Sequence, residues 1–167
     1  MPSDHLHFKL AIDSRFENIE LVQVVVNDSL ERLGLDEDER HWVDLAVREA
    51  VANAIKHGNR SESNKKVEID LAVEGDEVVV HVADEGEGFD PETVNDPRAP
   101  ENLLRPNGRG LFYMQSFMDR VDYAVRSGGG TVVTLRKQVS GPARNGGPAT
   151  AEPSGETGGE RGEGTKR

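Results

Sequence analysis

Apolar and polar positions alternate at the start of the chain. Leu6, Phe8, Leu10 and Ile12 interleave with His5, His7, Lys9 and Ala11, and a period of two predicts a strand with one buried face. His5 and His7 fall on its solvent side as inert surface residues. The period then lengthens: residues 16–33 read as an amphipathic helix that stops at Gly34. Asp36, with Glu39 three residues on, offers a reciprocal cap for a second helix. That helix runs to about Lys56 and meets a stop in His57-Gly58-Asn59. Alternation returns at Val67, Ile69, Leu71 and Val73. Gly75-Asp76 reads as a turn and Glu77 to Ala83 as the second arm of a hairpin. Residues 85–107 are rich in Gly, Pro, Asn and Asp and show little periodicity. An irregular connection above about 12–15 residues in a compact domain is usually functional or disordered. Residues 110–119 return to a helical pattern. Two last strands, 121–126 and 131–137, are joined by Gly128-Gly129-Gly130. The order β-α-α-β-β-loop-α-β-β predicts an α/β two-layer sandwich with a largely antiparallel sheet.

Composition divides the chain near Ser140. Residues 140–167 hold eight Gly and three Pro and no Val, Ile, Leu, Met or aromatic residue. Such a segment buries nothing to offset the entropy of ordering, so it is expected to be a disordered tail behind a domain of residues 1–139. The tail's charges cancel, which leaves the whole net charge of −11 on the domain. That balance argues against nucleic acid or an anionic membrane as the main partner. The absence of cysteine excludes a disulfide framework, an iron–sulfur cluster, a thiolate zinc site and a Cys nucleophile. No apolar run approaches the roughly 20 residues of a membrane span, and the N-terminus lacks the pattern of a signal peptide. The expected location is the cytoplasm.

Three segments offer chemistry. On the second helix, taking about 100° per residue, Glu49 at 0° is followed by Asn53 near 40° and His57 near 80°. They lie beside an apolar arc of Val43, Val47, Ala50, Val51 and Ala54. A carboxylate, a carboxamide and an imidazole on one edge suit either a ligand site or an ordinary solvated flank. The second segment, Ala83-Asp84-Glu85-Gly86-Glu87-Gly88, ends an apolar strand. A carboxylate there can accept a hydrogen bond from an exocyclic amine, and glycines admit close backbone approach. The same residues also make an acidic turn. The third, Asn107-Gly108-Arg109-Gly110, precedes a helix. Backbone N–H groups at a helix start, with a guanidinium beside them, suit phosphate, although a plain loop-to-helix junction reads the same. No P-loop, HExxH or nucleophile-elbow pattern occurs.

Order and spacing join the three. Glu49-x-x-x-Asn53 on a helix, Asp84-x-Gly86-x-Gly88 after a strand, a long loop, then Gly108-x-Gly110 at a helix start resemble the N, G1 and G2 boxes of the Bergerat-type ATP-binding fold. That fold is shared by gyrase-type ATPases, Hsp90, histidine kinases and mismatch-repair ATPases (the GHKL or HATPase superfamily). The resemblance covers roughly residues 5–138. Within the superfamily, Glu49-Ala-Val-Ala-Asn53-Ala-Ile-Lys-His57-Gly58 and Gly108-Arg-Gly110-Leu-Phe-Tyr-Met-Gln-Ser-Phe-Met-Asp119 are similar to the bacterial anti-sigma factor serine/threonine kinases of sporulation and stress response.

The resemblance implies a mixed, largely antiparallel sheet with helices on one face, and the following roles. Glu49 is the general base toward a seryl or threonyl hydroxyl. Asn53 ligates Mg²⁺, with His57 on the same nucleotide-facing edge. Asp84 binds the adenine amine, and Gly86 and Gly88 let the base pack close. Residues 91–107 form the ATP lid. Gly108, Arg109 and Gly110 hold the phosphates, and Thr131 assists adenine recognition. The implied cofactors are ATP and Mg²⁺. The implied partners are a sigma factor and an anti-sigma factor antagonist of the STAS type, in a homodimeric assembly. Two other readings remain open on the residues alone: a non-catalytic, ATP-dependent protein-binding switch, and the catalytic half of a split histidine kinase.

Overall fold

Among the described residues five strands form one sheet: β1 (His7–Asp13), β2 (Lys66–Glu74), β3 (Glu77–Ala83), β4 (Arg120–Val125) and β5 (Thr131–Gln138). They lie in the order β1-β2-β3-β5-β4. Where a largely antiparallel, mixed sheet was expected, every pairing among the described residues is antiparallel. Among the described residues three α-helices accompany the sheet: α1 (Asn18–Arg32), α2 (Glu37–Asn53) and α3 (Gly108–Phe117). The structure, a computed structural model, describes residues 6–87 and 108–139. Gly88, the expected lid and the expected tail lie outside the described residues.

The register sets which side chains meet. Leu10 pairs with Ile69, Leu71 with Val80, and Val80 with Leu135. The period of two therefore gathers one apolar face, and the helices cover it. Val22, Val26 and Leu30 of α1 and Val43, Val47 and Val51 of α2 are fully buried against Ile69, Leu71, Val80 and Leu135. Burying one such aliphatic side chain is worth about 1.5–3 kcal/mol, so this layer contact is the main source of the fold's stability. The opposite face carries charge. Asp70 accepts from His7 and Lys9, and Arg136 reaches Glu74 and Glu77.

Local signals in the sequence set the helix ends. Asp36 accepts from the Glu39 N–H at 2.8 Å while the Glu39 side chain takes the Asp36 N–H at 3.3 Å, a capping box worth about 1 kcal/mol. Gly34 ends α1 in the left-handed region at φ 76°. There the Leu35 N–H reaches back to the Leu30 carbonyl at 3.2 Å. The hairpin turn puts Gly75 at φ 68°, as the first central position of a primed turn requires.

The end of α2 differs from the expectation. An α-helix to Lys56 was predicted, but α2 stops at Asn53 and a π-helical turn, Ala54–Gly58, follows. The Asn59 N–H closes it on the Ala54 carbonyl at 2.8 Å. Gly58 is not left-handed, and the positive φ angles fall later, at Arg60 (52°) and Ser61 (57°). Single π turns are frequent where a helix is bent to serve a site, and this one begins right after Asn53.

Candidate functional site

Asp84 is the centre of the site. It leaves the end of β3, only 5% exposed, and a buried carboxylate must be hydrogen-bonded to be tolerated. Its Oδ1 accepts from the Gly86 N–H at 2.9 Å and the Thr131 N–H at 3.0 Å. The Asp84 N–H in turn reaches the Thr131 carbonyl at 3.0 Å. Thr131 thus grips Asp84 through both of its backbone groups, at the junction where the triple glycine enters β5. Both described bonds go to Oδ1, and Oδ2 faces the end of the π turn.

Three glycines let the backbone close on Asp84. A Cβ on Gly58 would lie 2.2 Å from Asp84 Oδ2, one on Gly86 would lie 2.2 Å from the Gly58 carbonyl oxygen, and one on Gly130 would lie 2.0 Å from the Asp84 carbonyl oxygen. No L side chain fits at those separations. Three backbone segments (the end of the π turn, the turn after β3 and the start of β5) therefore converge on one carboxylate.

Two further side chains hold this convergence, and the sequence reading assigned neither of them a role. Asn59 is fully buried. Its Nδ2 donates to Ser14 Oγ at 2.7 Å and to the Lys66 carbonyl at 2.8 Å, and its Oδ1 accepts from the Glu85 N–H at 2.8 Å. Arg126 donates to the Asp84 carbonyl at 3.4 Å and to Glu68 at 2.7 Å. Asn59 was read only as part of a helix stop, and nothing local to it marks the contact with Glu85. Gly58 was read as part of the same stop and as the last residue of the N-box string, with no contact assigned to it. Here the available signal was a glycine closing the motif string.

The predicted residues divide as follows. Asp84, Gly86 and Thr131 are brought together. Glu49 and Asn53 sit one turn apart near the end of α2, both half-buried. The wheel argument holds for them because the helix is regular up to Asn53. It fails for His57: each i→i+5 bond takes in an extra residue, so His57 lags the predicted edge, and it is exposed in the π turn. What burial it has, with Lys56 beside it, holds its imidazolium below the ordinary pKa. Gly108, Arg109 and Gly110 form the first turn of α3, where a helix leaves its N–H groups without intrahelical partners, and α3 packs against α2. Gly88 lies outside the described residues. Among the described residues, no group of three or more His, Cys, Asp or Glu could hold a metal ion. A divalent ion near Asn53 would therefore need phosphate oxygens and water to complete its shell. No helix among the described residues is long and apolar enough to cross a membrane.

The Asp84 carboxylate is thus a hydrogen-bond acceptor held rigid by its neighbours. The model of the histidine kinase-like ATPase domain matches residues 12–137. The anti-sigma F factor of Oceanobacillus iheyensis is 32% identical over 135 residues, which cover 78% of this chain and 91% of that protein. The serine-protein kinase RsbW of Bacillus subtilis is 28% identical over 141 residues, 81% of this chain and 87% of the relative. Among solved structures, one of the RsbU and RsbW domains of a Mycobacterium tuberculosis protein superposes with a TM-score of 0.60 at 23% identity. It covers 86% of this chain, which spans only 34% of that longer one. The catalytic domain of the histidine kinase ThkA superposes with a TM-score of 0.51 at 18% identity, covering 81% of this chain and 95% of that one. At these identities the two structures show the shared fold alone.

Proposed function

The chain belongs to the histidine kinase-like ATPase domain family, and from that premise we propose that it is an ATP-dependent protein-serine kinase and anti-sigma factor. It binds a sigma factor and phosphorylates a serine of a STAS-type antagonist, and this transfer switches which partner it holds. The working form in this reading is a cytoplasmic homodimer. The relatives named anti-sigma F factor and serine-protein kinase RsbW support both halves of the reading. The observation that carries nucleotide use is the Asp84 carboxylate, locked by two backbone N–H groups and walled by glycines.

The residues then take the following parts. Asp84 accepts a hydrogen bond from the exocyclic amine of adenine, and Gly58, Gly86 and Gly130 let the backbone close around its carboxylate. The first turn of α3, with Arg109, receives the phosphates. Bound Mg²⁺ would supply neutralisation of phosphate charge. Asn53 would hold that ion through its carboxamide oxygen, since a hard cation that keeps phosphate and water ligands accepts a neutral oxygen. Glu49 takes the proton of the seryl hydroxyl as its oxygen bonds to the γ-phosphorus and ADP departs. Phosphoryl transfer needs mainly such positioning and charge stabilisation.

Two variants test the assignment. Glu49→Gln should bind ATP nearly normally, keep its grip on the sigma factor, and phosphorylate the antagonist about 10²–10⁴-fold more slowly, the usual worth of a general base. Asn53→Ala should lose both ATP affinity and transfer. Calorimetry and a radiolabelled phosphorylation assay read the two quantities. Wild-type rates in Glu49→Gln would remove it as the base, and ATP binding without any phosphorylated serine by wild type would leave a binding switch instead of a kinase.

A further inference from the structure

We propose that Asn59 is a positioning residue for nucleotide selection: its carboxamide fixes the turn after β3 so that the Asp84 carboxylate stands ready for an exocyclic amine. The inference rests on the adenine reading of Asp84. The orientation of the carboxamide is dictated by its neighbours. The Lys66 carbonyl can only accept, so it must face Nδ2, and the Glu85 N–H can only donate, so it must face Oδ1. The Ser14 hydroxyl already donates to the Lys65 carbonyl at 2.9 Å, which leaves it to accept from Asn59. All three contacts are mutually consistent, and the side chain is fully buried.

The consequence lies next door. Glu85 sits between Asp84 and Gly86, and the Gly86 N–H is one of the two donors that orient Asp84 Oδ1. Fixing the Glu85 amide therefore fixes the donor that aims the carboxylate. The backbone of Asn59 closes the π turn directly after Asn53. One residue thus ties the end of the helix that carries Asn53 to the turn that carries Asp84. An apolar replacement strands the Glu85 N–H, and the turn it anchors can rotate.

The test compares Asn59→Ala with Val26→Ala, a truncation in the α1 core that lowers stability without touching this network. Affinities for ATP and GTP are measured for wild type and both variants by calorimetry. The expected result is that Asn59→Ala loses about tenfold or more of the preference for ATP over GTP, while Val26→Ala keeps the wild-type ratio at a comparable melting temperature. An unchanged ratio in folded Asn59→Ala overturns the proposal. Hydrogen exchange on wild type decides it even when Asn59→Ala does not fold: the Glu85 amide should be strongly protected without nucleotide, and free exchange there overturns the proposal. Wild type that binds no ATP overturns the nucleotide reading and this inference together, whereas wild type that prefers ATP separates the two.

Discussion

Replacing Gly58 with Ala sets two physical effects against each other. By helix propensity the change should stabilise, since Ala is favoured over Gly by about 0.8–1.0 kcal/mol in a helical segment. Gly58 has no positive φ, so no backbone strain opposes it. Packing opposes it strongly. The new Cβ would lie 2.2 Å from Asp84 Oδ2, 2.3 Å from Cγ and 2.8 Å from Cβ. Asp84 cannot retreat without loosening the bonds from Gly86 and Thr131, and a hydrogen bond to a charged group is worth about 1.5–3 kcal/mol. The π turn cannot retreat without stretching the three bonds of Asn59. Overpacking of this kind costs typically about 1–3 kcal/mol, so a net loss of about 1 kcal/mol is expected after the propensity gain. For a domain of this size that is a fall of about 4 °C in melting temperature. ATP affinity should fall by about tenfold or more as the carboxylate is displaced. Thermal denaturation and calorimetry measure both. Gly75→Ala is the control: its φ of 68° imposes strain of about 1 kcal/mol, but nothing lies within 4 Å of the added methyl, so ATP binding should be untouched. A Gly58→Ala protein as stable as wild type, with intact affinity, would refute the packing argument.

Asp44 gives a pH signature. Burial pushes its carboxyl above the ordinary value despite the bond from Gln23, and its Oδ1 is buried with no hydrogen-bond partner among the described residues. A raised folded-state pKa penalises the fold while Asp44 is ionised, and the penalty is relieved as pH falls through that raised value. Asp44→Asn should therefore melt above wild type near about pH 7, with the gap closing toward about pH 4; a gap that is the same at both would count against it. For residues 140–167, which contain no aliphatic side chain larger than Ala apart from Pro and the charged stems, removal should leave the melting temperature within a few degrees of full length, and a large loss would mean that the segment docks on the domain.

Most of the fold was legible because its signals are local. The alternation in β1, β2 and β3, the Asp36–Glu39 capping box and the left-handed Gly34 each act over a few residues, so periodicity and capping chemistry suffice to read them. The strand order was not legible: β5 inserts between β3 and β4, and nothing along the chain marks that pairing. The site divides in the same way. Glu49, Asn53, Asp84 and Gly86 could be picked out by motif order. Gly58 and Asn59 could not be assigned their parts, because their partners are Asp84, Ser14, Lys66 and Glu85, brought in by the sheet from far along the sequence. The π turn escaped for a related reason. Its extra residue follows from seating Gly58 and Asn59 against the turn after β3, which no helical wheel contains.

The aromatic contact between α2 and α3 turns the protein into its own optical instrument. The sequence has one tryptophan, and Trp42 stacks on Phe117 with ring centroids 4.1 Å apart and planes 18° from parallel. Phe117 lies parallel to Tyr113 at 5.9 Å. Phe117 is the last residue of α3, and the glycines proposed to receive phosphate are its first. A helix of ten residues moves nearly as a rod, so a tilt at its phosphate end is delivered to the indole at the other. Emission from the unlabelled protein, excited where indole absorbs and tyrosine does not, then follows that tilt in real time from a single tryptophan.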